Sequence, residues 1–214
     1  MRSLIRAIIL RTPLYRPLRN FLDRGRDRRA VAEWRKAGSV IPPPHAFKQA
    51  VLRQYARRYR LAILVETGTY QGEMVHSMSY AFRRVYSIEL SDDLFERARS
   101  RFSSQAHIEL IHGDSAQMLP SVLNRLTEPA LFWLDGHYSG GETARSAEDT
   151  PILAELDQIL TAAEIGHVIV IDDARCFGAD PAYPTLETLK EFVLIRRPSC
   201  RYEVLGDSIR ITPH

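Results

Sequence analysis

The sequence predicts an α/β protein, a doubly wound and mostly parallel sheet of seven strands with an antiparallel C-terminal hairpin strand, preceded by a basic helical arm. Three observations lead there. Short apolar runs alternate with helical stretches from residue 61 onward, the pattern of a parallel sheet wound by helices. The runs are apolar on both faces, as strands covered on both sides require. The last two runs are joined only by Gly206-Asp207, a favourable pair for a tight hairpin turn.

The elements follow in order. Residues 61–66 (LAILVE) form the first strand and end at the turn-rich GTYQG; a helical stretch runs from there to about Phe82. The second strand is 84–90, and Ser91 caps a helix through about Phe102, with Asp92 and Asp93 in its first turn. The third strand is 107–112, followed by a helix after Gly113-Asp114-Ser115. The fourth is 130–135, followed by a long Gly- and Ser-containing loop that ends where Pro151 opens a helix. The fifth is 167–172; a helix after Pro184 and the strands 201–205 and 208–212 complete the chain.

A hydrophobic fraction of 45% and a charged fraction of 26% over 214 residues fit a soluble globular domain with an appendage. Cys176 and Cys200 show neither metal spacing nor a disulfide framework, so they read as small buried hydrophobes in a reducing cytoplasm. Charge is divided unevenly. Residues 1–60 hold sixteen Lys or Arg against three Asp or Glu, +13, and the chain's net +3 leaves −10 for the rest. Such asymmetry concerns a partner surface more than the fold.

Residues 1–45 form the basic amphipathic arm and 46–214 the main domain, with the break at Ile41-Pro42-Pro43-Pro44. Leu4, Ile5, Ile8 and Ile9 recur at helical spacing, as do Leu14, Leu18, Phe21 and Leu22, with arginines between them. The apolar run before Arg11 is too short for a signal-peptide core or a membrane span. Two destinations stay open: peripheral contact with an anionic membrane surface, or packing on the domain or on the second subunit of a homodimer. No aromatic-basic pattern or reader motif points to nucleic acid.

Every parallel strand ends near an acid: Glu66, Glu89, Asp114, Asp135 and the pair Asp172-Asp173. Ligands of such sheets bind outside those ends, so the crevice is polar. In the loop Glu66-Thr67-Gly68-Thr69-Tyr70-Gln71-Gly72, glycines allow a sharp turn and close approach, and the following helix start offers free amide donors. Glu89 at the next strand end can accept both hydroxyls of a ribose, and Asp114 the amino group of an adenine.

With this loop the chain resembles the class I S-adenosylmethionine-dependent methyltransferases and their Rossmann-like fold. It is most similar to two groups of small O-methyltransferases, the catechol type and the antibiotic-sugar type. The catechol type's acid-x-Gly-x-Tyr-x-Gly loop is met by Glu66, Gly68, Tyr70 and Gly72, and the likeness spans roughly residues 61–175. The resemblance implies that Glu66, Gly68 and Gly72 contact the methionine portion of the donor, Glu89 its ribose, and Asp114 with Ser115 its adenine, with Thr67, Tyr70 and Asp135 also at the cofactor. Position 70 departs from the middle glycine common in methyltransferases. The loop also lacks the GxGxxG of nicotinamide enzymes, which makes a dehydrogenase the weaker reading.

On the acceptor side, Asp135 ends strand four and Asp172-Asp173 end strand five, neighbours in the expected sheet order. Three carboxylates converging there suit Mg²⁺, and the metal-dependent relatives place ligands at the matching positions. The competing reading is that Asp173 caps a helix or pairs with Arg175. His137 is the best general base by its near-neutral pKa, with Asp135 beside it as the second catalytic candidate. The relatives carry an acid at position 137 or a lysine one residue later, where this chain has Tyr138, so they leave the histidine unassigned. The loop Ser139 to Arg145 is long enough to cover an acceptor, expected to be a sugar or another hydroxylated small molecule. The alternatives are a metal-free methyltransferase acting on a nitrogen or lipid-linked acceptor, and a non-catalytic donor-binding protein. His45, His76, His107, His112 and His167 show no ligand spacing and read as structural.

Overall fold

The computed structural model describes residues 15–135 and 150–214. Helices α1 (Tyr15–Lys36) and α2 (His45–Arg58) precede a sheet of β1 (Ile63–Thr67), β2 (Arg84–Glu89), β3 (Ile108–His112), β4 (Ala130–Leu134), β5 (Val168–Ile171), β6 (Arg201–Leu205) and β7 (Ser208–Thr212). Between the strands lie α3 (Glu73–Met78), α4 (Asp92–Phe102), α5 (Ser115–Leu123), α6 (Ile152–Thr161) and α7 (Leu186–Arg196).

The strand order is β3-β2-β1-β4-β5-β7-β6, with β1 to β5 parallel and β7 antiparallel to both β5 and β6. The hairpin sits at one edge as expected, with β7 inside and β6 outermost. Its turn residues Gly206 and Asp207 both have positive φ, 61° and 63°, the geometry a two-residue hairpin turn needs to match strand twist. The order reverses between β1 and β4, so the crevice of the fold opens at their carboxyl ends.

Strand periodicity divides the core. Ile63 and Val65 face α5, α6 and α7, packing with Leu119, Leu156 and Val193. Leu64 faces the other layer, α2, α3 and α4, with Leu52, Met78 and Phe102. Helix α2 thus belongs to the layer that covers the sheet. Helix α1 lies outside it, against α2, through Trp34 packed on Phe47 with tilted rings 4.4 Å apart and Arg26 bonded to Gln49 at 3.2 Å.

Local chemistry sets the helix starts. Ser91 caps α4 by accepting from Leu94 N–H at 3.5 Å, Asp114 caps α5 by accepting from Ala116 N–H at 2.9 Å, and Thr185 caps α7 by accepting from Thr188 N–H at 3.1 Å. Pro151 stands one residue before α6 rather than inside its first turn. Helix α3 is shorter than the expected stretch to Phe82, because Ala81 N–H turns back to the Met78 carbonyl at 2.8 Å and tightens the chain into a turn. Two corrections concern side chains. Cys176 and Cys200 are free thiols and only half-buried, the first in a short 3₁₀ turn at the rim of the strand ends, the second at the margin of the core before edge strand β6. In the arm, Phe21 and Leu22 are exposed on α1 rather than packed on the domain. Leu4, Ile5, Ile8, Ile9 and Leu14 lie outside the described residues.

Candidate active site at the carboxyl ends of the strands

The donor side is built from the β1–α3 loop and the end of β2. The loop runs through left-handed backbone at Gly68 (φ 85°), Tyr70 (φ 49°) and Gly72 (φ 72°). Tyr70 therefore keeps the shape that a middle glycine would give, at a cost of about 1–2 kcal/mol for an L-residue. Gly72 has a second reason to lack a side chain: a Cβ there would stand 2.7 Å from the Phe102 ring.

Glu89 fastens this loop. One carboxylate oxygen accepts the Tyr70 N–H at 2.7 Å and the other the Ser91 N–H at 2.9 Å. Each oxygen keeps a further lone pair, so the clamp leaves acceptor capacity toward the crevice. Glu66 lies beneath the loop and is buried; Ser87 Oγ donates to it at 2.5 Å, and Thr69 Oγ1 lies 2.6 Å from the same Ser87 hydroxyl. Burial pushes the Glu66 carboxyl up to about 8, with the charge of Glu89 adding to the shift and the Ser87 hydrogen bond opposing it. At neutral pH it is therefore a protonated strut between β1 and β2. Asp114 spends Oδ1 on its cap, leaving Oδ2 outside that cap, and Ser115 opens α5 beside it. Thr67, at the end of β1, buries its hydroxyl beside the Glu155 carboxyl of α6.

On the acceptor side, backbone bonds hold the strand ends together: Asp135 N–H donates to Thr67 O at 3.2 Å and Asp172 N–H to Leu134 O at 3.0 Å. Asp173 adopts φ 55°, which turns the chain there. Asp135, Asp172 and Asp173 offer oxygens that all lie within 4.8 Å of one another. The convergence expected from the sequence is therefore present.

The sequence reading named Arg175 beside this cluster but missed Lys48. Lys48, on α2, hydrogen-bonds Asp172 Oδ2 and reaches Asp173 Oδ1 at 3.2 Å. Arg175 reaches the same Asp173 oxygen at 2.7 Å and pairs with Asp207 in the hairpin turn, whose carboxylate also accepts the Arg175 N–H at 2.9 Å. The Asp173–Arg175 alternative is thus realised alongside the convergence. Burial pushes the Asp135 carboxyl well above the ordinary range, the neighbouring Asp172 charge adds to this, and Lys48 opposes it. Burial likewise pushes Asp172 up to about 6 against the pull of Lys48. For Lys48, burial is outweighed by the attraction of Asp172, Asp173 and Asp135, and its pKa rises.

Glu155 in the first turn of α6 was also missed. It is buried, and burial pushes its carboxyl up to about 7, with the Ser115 and Thr67 hydroxyls opposing the shift. A cavity of about 20 Å³ lined by Leu134, Asp135, Glu155, Asp172 and Tyr183 lies at the foot of the acids and holds a water-sized guest at most. The donor set suits a hard divalent cation: it is all oxygen, and the buried Asp172 Oδ1 has no hydrogen-bond partner among the described residues. His137, Tyr138 and the loop from Ser139 to Arg145 lie outside the described residues. Two histidines read as structural are so used: His107 bonds the Ser79 carbonyl at 2.8 Å, and His167 pairs with Ala130 N–H at 3.1 Å.

No protein-family model matches the sequence, and no curated protein matches it. Solved structures do. An O-methyltransferase from Streptomyces achromogenes, TomG of tomaymycin synthesis in complex with SAM, aligns with TM-score 0.57 and 20% identity over 87% of this chain and 88% of its own. An O-methyltransferase from Bacillus cereus in complex with SAH aligns with TM-score 0.58 and 15% identity over 88% and 90%. The N-methyltransferase NodS from Bradyrhizobium japonicum aligns with TM-score 0.53 and 14% identity over 81% and 98%. With these structures and the crevice at the β1/β4 reversal, the chain has the Rossmann-like fold of the class I S-adenosylmethionine-dependent methyltransferases.

Proposed function

We propose that the chain is an S-adenosylmethionine-dependent methyltransferase that methylates a hydroxyl oxygen of a sugar or another hydroxylated small molecule. The observation that carries this reading is the pairing of a Glu89-clamped glycine loop with a three-carboxylate cluster one strand away across the same crevice. The fold alone does not choose the acceptor atom, since oxygen- and nitrogen-methylating enzymes both share it. The acid cluster favours oxygen, because it suits a cation that a hydroxylate can share.

In this reading Glu66, Thr67, Gly68, Tyr70 and Gly72 surround the methionine portion of the donor, with loop amides facing its carboxylate. Glu89 accepts the ribose hydroxyls on lone pairs its clamp leaves over, and Asp114 Oδ2 with Ser115 meets the adenine. Asp135 borders both halves. Asp135, Asp172 and Asp173 would hold Mg²⁺, which lowers the pKa of a bound acceptor hydroxyl. His137 is the proposed proton acceptor. Methyl transfer needs chiefly alignment of acceptor, methyl carbon and sulfur, so holding the two ligands in line carries much of the rate. The second reading, a metal-independent methyltransferase, is favoured by the Lys48 ammonium already on Asp172 and Asp173.

Residues 1–45 form the arm and 46–214 the methyltransferase domain in this proposal. Phe21 and Leu22, exposed on the arginine-rich α1, support contact with an anionic membrane from the cytoplasmic side, or with a second copy of the chain. No helix among the described residues is long and apolar enough to cross a membrane. The function is tested by thermal shift: S-adenosylhomocysteine should raise the melting temperature and NADH should not. Stabilisation by NADH alone would overturn it.

A further inference from the structure

We infer that Lys48 is the built-in counter-ion of the acceptor-side carboxylates and competes with a divalent cation for Asp172 and Asp173. This role deepens the proposed acceptor site and rests on its reading as a cation-binding cluster. The ammonium sits against one oxygen of each aspartate, 3.2 Å from Asp173 Oδ1 and hydrogen-bonded to Asp172 Oδ2. A divalent ion on the same carboxylates would stand a few ångströms from this ammonium, and the repulsion between the two charges sets each against the other.

Charge shows why the contest is close. Four carboxylates, Asp135, Asp172, Asp173 and Asp207, face two cations, Lys48 and Arg175. Arg175 is committed to Asp173 and Asp207, so the pair Asp135 and Asp172 has Lys48 alone among these cations, and the buried Asp172 Oδ1 has no hydrogen-bond partner among the described residues. A doubly charged ion there would meet converging acids that a single described ammonium serves.

The anchoring of Lys48 suits an exchangeable part. Helix α2 is fixed by buried Val51, Leu52 and Tyr55, while the Lys48 side chain remains 16% exposed. The four-carbon stem can therefore swing the ammonium out while the helix stays in place. Residue choice agrees: Lys48 is one of three lysines, with Lys36 and Lys190, in a chain whose other cations are arginine. A compact ammonium resembles a metal ion as a point charge, whereas a planar guanidinium does not.

The test is Mn²⁺ binding to the full chain, read by electron paramagnetic resonance of the free ion, for wild type, Lys48→Met, Lys48→Gln and Lys48→Arg. Both uncharged variants should bind Mn²⁺ about tenfold or more tighter than wild type, and the arginine variant should stay as weak as wild type. Adding Asp172→Asn to Lys48→Gln should abolish the gain. Equal affinity in wild type and both uncharged variants, including no binding by any of them, overturns the role. S-adenosylhomocysteine titration of the same samples reports folding and the donor site separately. Failure there would fall on the methyltransferase reading, and failure confined to Mn²⁺ on the counter-ion role.

Discussion

The two halves of the crevice reach the same end, buried carboxylates held in place, by opposite means. On the donor half, Glu89 is satisfied by backbone N–H groups from its own neighbourhood, Tyr70 and Ser91, and Glu66 is kept protonated next to Ser87. On the acceptor half, Asp172 and Asp173 keep their charge company with side-chain cations, of which Lys48 comes from 124 residues away. Backbone donors are fixed once the loop folds. Side-chain cations can leave. In the proposed reading the donor half binds one ligand in one way, and the acceptor half exchanges one cation for another.

The largest expected effect breaks the halves apart chemically. Asp172→Asn preserves shape but removes a carboxylate next to Lys48, and turnover of a hydroxylated acceptor should fall about 100-fold or more. The melting shift caused by S-adenosylhomocysteine should be retained. A parallel loss of both would mean the halves are one unit.

A structural effect comes next. Gly72→Ala places a Cβ at left-handed backbone and against Phe102, so unfolding in urea should show a loss of about 2–4 kcal/mol. A loss under about 1 kcal/mol would show that the Phe102 ring yields and that the loop is not held by that contact.

The pH dependence of stability separates the halves more gently. Glu66 has a folded pKa of about 8 against an ordinary 4.5, so the folded state holds its proton more tightly than the unfolded chain. Its contribution is complete below about pH 4.5 and is lost as pH rises through 8. Relative to Glu66→Gln, the wild type should be close in melting temperature at pH 5 and fall progressively behind toward pH 8.5. A constant gap would place an ionised carboxylate at Glu66.

The smallest effect is expected at Tyr70, which is exposed and in left-handed backbone. Tyr70→Gly relieves strain and adds chain entropy, so stability measured in urea should change within about 1 kcal/mol. A larger loss would assign the Tyr70 side chain a structural task that its exposure does not show.

The same contrast explains what was legible in the sequence. The sheet, its hairpin and the helix cap at Ser91 arise from short-range patterns and were readable, while the cap at Asp114 was not named. So was the donor loop, whose glycines and Glu89 lie within one β-α-β unit; even Tyr70, an apparent departure, keeps the loop shape. The acids at β4 and β5 were readable as a convergence because the fold class predicts adjacent strands. Lys48 was not readable: a lysine in a basic segment looks like one more solvated charge until α2 is packed on the sheet. Asp207 was read only as a turn residue, and Glu155 was not singled out at all, because their burial is a tertiary fact. The scarcity of lysine was the one available signal for Lys48.

The most direct test of two independently built halves is calorimetric titration of S-adenosylhomocysteine into wild type, Glu89→Ala and Asp172→Asn. Glu89→Ala removes the loop clamp and the proposed ribose acceptor together and should weaken binding about 100-fold or more, while Asp172→Asn should bind as wild type does. Retained affinity in a folded Glu89→Ala protein, or its loss in a folded Asp172→Asn protein, would contradict the account.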